Sequence, residues 1–486
     1  DPDVIRVEDT YYMVSTTMHF MPGCEILQSF DLVHWEHVTY VYETLDHTDA
    51  QQLKSGQNIY GQGMWAASLR YHEGRFYICF VANDTRKTYL YTSEKIDGPW
   101  KKQLIEGFYH DGSLLFDEDG RNYIVYGNDE IWITELNEDL TAPKKDGLHR
   151  LLVSDHKNPE LGYEGSHIQK INGYYYIFLI HSLRDRWMRT EACFYSDSLE
   201  GEFTGGDVLC DDRGYCGQGV AQGGIVDTPD GKWYAMLFQD SGAVGRIPIL
   251  LPVTWKDHFP FFGQNGHVPE EIEVHSTRPG YIYQPLVGSD DFCNGLLPRW
   301  QFNHDPDPRY YHLDALQGTY TITTREVCTE LTQAVNTLTQ RMSYPSCAAE
   351  VTVDASALKE GDVAGLCALQ SCYAAVGITK HHGKYEVLML DKKEDGILDM
   401  TEGTVVESHQ MDFRLEADFC NMKDEARCYY RVNKGDWLPI GTVHKLYFKL
   451  DHFTGCRFGL FCYAAEETGG SACFRDFKYY DVDEIS

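Results

Sequence analysis

The sequence has no run of about 18 apolar residues, so no membrane-spanning helix is expected. Basic residues are scarce: 42 Lys and Arg stand against 74 Asp and Glu, for a net charge of −32. Nucleic acid and anionic membrane surfaces both recruit basic patches, so neither is an expected partner; a neutral ligand such as a sugar is compatible with this charge. The 15 cysteines include no CxxC pair and no cysteine–histidine spacing, and their number is odd. A zinc site and a disulfide framework are both unexpected, and a reducing compartment fits better. No leader is visible and the sequence opens at Asp1 without a methionine. The expectations are a cytoplasmic location and a trimmed N-terminus. Helical periodicity is nearly missing from the first 285 residues.

What is present is a repeated phrase. Residues Gly162–Tyr176 read as a carboxylate beside glycine, a strand, an Asn-Gly turn and an aromatic return strand. Asn-Gly between alternating apolar runs marks a hairpin, because both residues tolerate positive φ. Val4–Tyr12, Ser68–Tyr77, Ser113–Tyr123 and Gly224–Tyr234 follow the same plan. Five hairpins at propeller-like intervals predict a five-bladed β-propeller. A second phrase, at Ser29–Trp35, Ser93–Trp100 and Ser196–Phe203, marks the outer part of blades one, two and four; blade three lacks a clear copy. Counting back about twelve residues from each second-strand tyrosine reaches Asp1, Trp65, Asp111, Glu164 and Gln222. Equivalent positions on innermost strands face one another across a propeller channel, so these five residues are expected at one mouth.

Two or three facing carboxylates fit glycoside hydrolysis. One must be protonated to give its proton to the leaving oxygen, and another ionised to activate water or attack the sugar. A third can raise the acid's pKa by like-charge repulsion. Glu164 is the expected proton donor, Asp1 the base and Asp111 the modulator. Singly, Asp1-Pro2-Asp3 and Asp111-Gly112 also read as turns. Trp65 reads equally as a sugar platform or as core, and Gln222 as a channel hydrogen-bonding group or a structural contact. Arg246 reads as a ligand for a hydroxyl or an acid, or as an inter-blade ion pair. The apolar loop Met18–Gly23, with Phe20 at its centre, reads as core or as a wall of a sugar pocket. A sugar-binding propeller without catalysis is the competing class.

From about residue 289 the pattern changes to short alternating segments: Gly318–Thr324, Cys347–Asp354, Tyr385–Leu390 and Lys445–Leu450. These predict a β-sandwich. The expected division is a catalytic propeller over 1–286 and an accessory sandwich over 287–486.

These residues resemble glycoside hydrolase family 43. Asp1-Pro2-Asp3-Val4-Ile5 is similar to the family's base motif, Trp65-Ala66-Ala67-Ser68-Leu69 to its Trp-Ala-Pro phrase, and Asp111-Gly112-Ser113 to its modulator motif. Glu164-Gly165-Ser166-His167 resembles its Glu-Gly-Pro-His acid motif, and Arg246 maps to its substrate arginine. Asp290-Asp291-Phe292 and Trp300–His304 resemble the concanavalin-like jelly roll appended to xylosidase and arabinofuranosidase members. The resemblance implies an inverting, exo-acting hydrolase releasing arabinofuranosyl or xylosyl units from plant cell-wall oligosaccharides. The Met18–Met21 loop favours arabinofuranosidase over β-xylosidase or a bifunctional enzyme. No cofactor is needed for the chemistry. The resemblance also implies a possible Ca²⁺ in the channel, where Gln222 replaces a histidine.

Overall fold

The computed structural model describes residues 1–481. Among these there is no α-helix; strands and short 3-10 turns carry the whole fold. Five four-stranded antiparallel sheets form the propeller. Blade one is Asp3–Val7, Thr10–Val14, Gly23–Ser29 and Glu36–Tyr42. Blade two is Met64–His72, Arg75–Ala82, Lys87–Ser93 and Lys101–Ile105, and blade three is Ser113–Phe116, Asn122–Asn128, Glu130–Leu136 and His149–Ser154. Blade four is Glu164–Ile171, Tyr174–Ser182, Arg189–Ser196 and Thr204–Leu209; blade five is Ala221–Asp227, Trp233–Asp240, Arg246–Lys256 and Phe259–Phe262. The five repeated hairpins are the inner strand pairs, and the second phrase starts where each third strand ends.

Each blade is drawn from one continuous stretch of chain, so no exchanged strand closes the ring. Blades one and five meet through side chains instead. Val4, Tyr11 and Met13 pack on Val226, Tyr234 and Met236, and Arg6 pairs with Asp227 at 2.5 Å. The connector after Phe262 returns along blade one: Thr277 N–H donates to the Phe30 carbonyl at 2.8 Å, and Tyr283 Oη accepts the Phe30 N–H at 2.9 Å.

The second domain is a sandwich of two antiparallel sheets. One contains Gln301–Asn303, Leu338–Arg341, Arg457–Tyr463, Val363–Leu369, Ala374–His381 and Lys384–Lys392; the other centres on Ser471–Asp481, Ser346–Asp354 and Gln410–Asp418. Tyr320, Leu366, Phe413, Phe458 and Phe474 fill the space between them. The expected strand at Lys445–Leu450 is corrected. The strand Leu438–Lys445 stops there: one further ladder bond joins the Leu446 N–H to the Asp424 carbonyl, and then the Gln370 side chain takes both the N–H and the carbonyl of Tyr447, at 3.1 and 2.6 Å.

A second correction concerns Phe20. It walls no sugar pocket: the short strand Phe20–Met21 leaves blade one and joins the edge of the sandwich sheet, pairing with Phe302 and Asn303. Phe20 is fully buried among Leu331, Tyr373 and Phe461, with the Arg457 guanidinium 3.6 Å above its ring. An edge strand is a row of unpaired backbone donors and acceptors, and here the propeller covers it.

Beside this strand the two domains bury a histidine cluster. The ring of His19 lies 4.7 Å from His304 and 5.3 Å from His452, with Tyr60 at 4.8 Å. The Ile59 N–H donates to His304 Nε2 at 3.0 Å, both ring nitrogens of His19 lack partners among the described residues, and His452 Nδ1 lies 3.4 Å from Asp451 Oδ1. Burial pushes His19 well below its ordinary value, with His304 and His452 adding to it. Burial also lowers His304 to about 3, with His452 adding. Because the folded values are depressed, the unfolded chain binds these protons first. Their contribution to stability is complete above about pH 6.5 and is lost as the pH falls toward the folded values. A His19→Phe variant should therefore lose less melting temperature than the parent between about pH 7.5 and about pH 5. Equal losses in thermal melts would place the acid sensitivity elsewhere.

Candidate active site

The innermost strands set two tiers in the channel. Pairing opposite the second strands aligns Asp3, Ser68, Ser113, His167 and Gly224, one from each blade. Arg70 of blade two reaches across this tier. Its guanidinium donates to Asp3 Oδ2 at 2.8 Å, to Ser113 Oγ at 2.7 Å, and to the carbonyls of Leu114 at 2.8 Å and Ile168 at 3.2 Å. Asp3 also accepts the Leu69 N–H at 2.7 Å and faces His167 Nδ1 at 3.2 Å. Burial alone would raise the Asp3 carboxyl; Arg70 and His167 outweigh it and hold the group below its ordinary value.

Above this tier lie the residues picked out by repeat register. Two positions before each tier residue stand Asp1, Ala66, Asp111, Gly165 and Gln222. Trp65 and Glu164 are one step earlier, and a register shift follows in each of their strands, between Met64 and Ala67 and between Glu164 and His167. A bulge re-aims the preceding side chain, which is how these two reach the mouth despite the offset. Gly165 makes the bulge possible: its φ is +65°, and an added Cβ would sit 2.6 Å from the Gln222 side chain. Its N–H donates to Asp111 Oδ2 at 2.9 Å.

Asp1, Asp111, Glu164, Trp65 and Arg246 are thus brought together. Arg246 donates to Asp1 Oδ1 and, at 3.3 Å, to Asp240; Thr16 donates to Asp1 Oδ2 at 2.6 Å. Glu164 accepts from Asn128 at 2.6 Å and lies 3.5 Å from His110 Nε2, which is also 3.5 Å from Asp111. The Trp65 indole N–H is buried without an acceptor. Gln222 is buried behind Gly165, its N–H donating to Glu191 at 2.7 Å.

Several contributors were not singled out in the sequence. His110 is raised to about 9, first by Asp111 and then by Glu164. Arg189 pairs with Asp240 at 2.6 Å. Phe453 comes from the sandwich: its ring meets Trp65 edge-on at 5.4 Å and lies under the Arg246 guanidinium at 4.2 Å. Adjacent His110-Asp111 was a readable signal; nothing local marks Phe453.

The electrostatics differ from the expected modulator pattern. Asp111 is the carboxyl pushed up, by burial and by Glu164. Burial also raises Glu164, but His110, Arg246 and Arg189 outweigh it and leave the group below its ordinary value. Four carboxyls (Asp1, Asp111, Glu164, Asp240) and three basic side chains (His110, Arg189, Arg246) thus share the mouth.

Calcium fits these residues poorly. It takes about six to eight oxygen ligands. In the lower tier the one carboxylate is already saturated and a guanidinium stands between the blades. Among the described residues, the one group of His, Cys and carboxylate side chains at metal-like spacing is His110, Asp111 and Glu164. A cation there would displace the contacts that His110 makes with both carboxyls.

Facing carboxylates at the mouth of a five-bladed propeller, roofed by a concanavalin-like sandwich, define a glycoside hydrolase. The chain belongs to glycosyl hydrolases family 43, whose family model matches residues 1–260. Residues 289–480 match the beta xylosidase C-terminal concanavalin A-like domain. A beta-xylosidase of Formosa agariphila is 26% identical, covering 99% of this chain and 87% of that protein. A non-reducing end alpha-L-arabinofuranosidase of Bacteroides ovatus is 23% identical, covering 82% of this chain and 78% of that one. A solved structure described as a bifunctional GH43-CE of Bacteroides eggerthii superposes with a TM-score of 0.91 at 42% identity. That match covers 99% of this chain but 62% of the larger protein.

Two measurements test the channel. Arg70→Met leaves Asp3 buried without its counter-charge and should cost about 3–5 kcal/mol in denaturant unfolding. The parent's melting temperature should be unchanged by a chelator. A drop reversed by calcium would mean that a cation, and not Arg70, holds the tier together.

Proposed function

We propose that the protein is an inverting, exo-acting hydrolase that removes a terminal pentosyl unit from xylan-type oligosaccharides, with xylose as the leading candidate. The observation that carries this reading is that two carboxylates have different partners: an arginine grips Asp1, whereas Glu164 lies beside His110, a group that can hand it a proton. Asp1 accepts from Arg246 and Thr16, an arrangement that favours the ionised form of a base. Glu164 sits in a proton-bearing cluster with His110 and Asp111. The Met18–Met21 loop, which favoured arabinose, gives no ground for that choice, because Met18, Phe20 and Met21 are buried. The names of relatives, most of them xylosidases or xylosidase/arabinosidases, support a pentose substrate.

In this reading the terminal sugar lies between Asp1 and Glu164, beside the Trp65 ring. Asp1 takes a proton from water as its oxygen attacks the anomeric carbon; the bond to the leaving oxygen breaks and Glu164 protonates that oxygen. Between turnovers Asp1 gives its proton to solvent, and His110, equidistant from Asp111 and Glu164, passes one to the acid and takes another from solvent. Phe453 closes the site on the sandwich side, which suits a chain end better than the middle of a chain.

Glu164→Ala should lower turnover of a xylo-oligosaccharide by about 10²–10⁴-fold, and lower it less for a nitrophenyl glycoside whose leaving group needs no proton. Undiminished release from the oligosaccharide removes Glu164 from the mechanism. His110→Gln deletes the charge that holds Glu164 down, so the acid's pKa rises and the alkaline limb of kcat/KM should move to higher pH. A limb that stays in place or moves down would show that His110 does not set it.

A further inference from the structure

The two oxygens of the Glu164 carboxyl have unequal surroundings. Oε2 accepts from Asn128 Nδ2 at 2.6 Å and lies 3.5 Å from His110 Nε2. Oε1 meets no donor among the described residues, and with the side chain 22% accessible it is the oxygen left to the pocket. An oxygen already facing N–H groups is the poorer seat for a proton, so the acid's proton belongs on Oε1. The hairpin tip that carries Asn128 is fixed on both sides. Strands Asn122–Asn128 and Glu130–Leu136 turn on Asp129 alone, at φ +63°. The Gly127 N–H donates to the His110 carbonyl at 3.1 Å, and the Asp129 N–H to the Tyr163 carbonyl at 2.8 Å. The residues flanking Asn128 therefore bond to the residues that immediately precede Asp111 and Glu164. Behind the tip, the Asp129 carboxylate accepts the Lys157 N–H at 3.0 Å, and its carbonyl accepts the Asp155 N–H at 2.9 Å.

We propose that Asn128 is the positioning residue of the general acid: it holds Oε2 and so turns Oε1, with its proton, toward the glycosidic oxygen. The proposal rests on the reading of Glu164 as the proton donor. Transfer needs the donor oxygen within about 2.6–3.2 Å of the leaving oxygen. A carboxyl free to turn about its last bond spends part of its time with the proton facing away, and a fixed amide removes that freedom. The proton passes from Oε1 to the leaving oxygen as the glycosidic bond breaks. The carboxylate left behind keeps the Asn128 N–H as its donor.

The test compares xylobiose, whose leaving sugar needs a proton, with dinitrophenyl β-xyloside, whose leaving group needs none. Asn128→Leu, which keeps the bulk without a donor, should lower kcat on xylobiose about tenfold with little change in KM, and kcat on the dinitrophenyl glycoside less than about twofold. In a Glu164→Ala background the same substitution should cost nothing further, because the carboxyl it acts on is gone. Asn128→Asp sets a second negative charge against Glu164, so the alkaline limb of kcat/KM for xylobiose should move to higher pH. An equal loss on both substrates, an unchanged rate on xylobiose, a full further loss in the Glu164→Ala background or an unmoved limb each overturns the proposal. If Glu164→Ala itself keeps the parent's rate on xylobiose, the reading of Glu164 as the donor fails, and this proposal with it.

Discussion

A guanidinium in the channel is the contact on which the propeller's geometry depends. Five blades splay from a common axis, and each inner strand brings polar backbone toward it. Arg70 answers with four donor contacts that join its own blade to the inner strands of blades one, three and four. Its charge is matched by Asp3, so the pair is buried without a surplus of either sign. That matters one tier higher, where Asp1 is two residues from Asp3, and Asp111 two residues from Ser113. Whatever fixes the lower tier fixes the spacing of the acids. A buried ion pair is weak evidence for stability but a firm means of setting register, since any shifted arrangement strands a charge.

The sandwich completes the site. The turn before Arg246 is clamped by it: Ala243 N–H donates to Asp424 at 3.1 Å, and Cys456 N–H donates to the Ala243 carbonyl at 2.8 Å. The backbones meet so closely that a Cβ on Gly455 would lie 2.0 Å from the Val244 carbonyl oxygen, and its φ of +100° suits glycine. Phe453, two residues before Gly455, is thereby placed on Arg246. One domain provides the acids; the other orients the arginine that holds one of them.

The propeller was legible because its hairpins repeat. Repeat register brought Asp1, Asp111 and Glu164 together from three distant stretches of chain, and the count even tolerated the offset that the bulge at Gly165 introduces. What register could not convey was anything perpendicular to it. Phe20 sits in a loop whose partner is a sandwich strand some 280 residues later, so its neighbours are set by docking and not by local pattern. Phe453 lies in a loop of the sandwich, and only the docked arrangement puts it over Trp65. Lys445–Leu450 alternates like a strand, yet the Gln370 side chain takes the backbone groups of Tyr447 out of the ladder. The protonation pattern of the acids was equally hidden, because it depends on three cations from three parts of the chain.

The exchanged strand at Phe20–Met21 has a bearing on how such enzymes are recombined. A cut at the connector would leave the propeller with an apolar strand in water and the sandwich with a bare sheet edge, each inviting aggregation. Modules of this architecture cannot be swapped as beads on a string. A viable chimera would have to carry the blade-one segment along with the sandwich that accepts it, so the natural unit of inheritance is the pair.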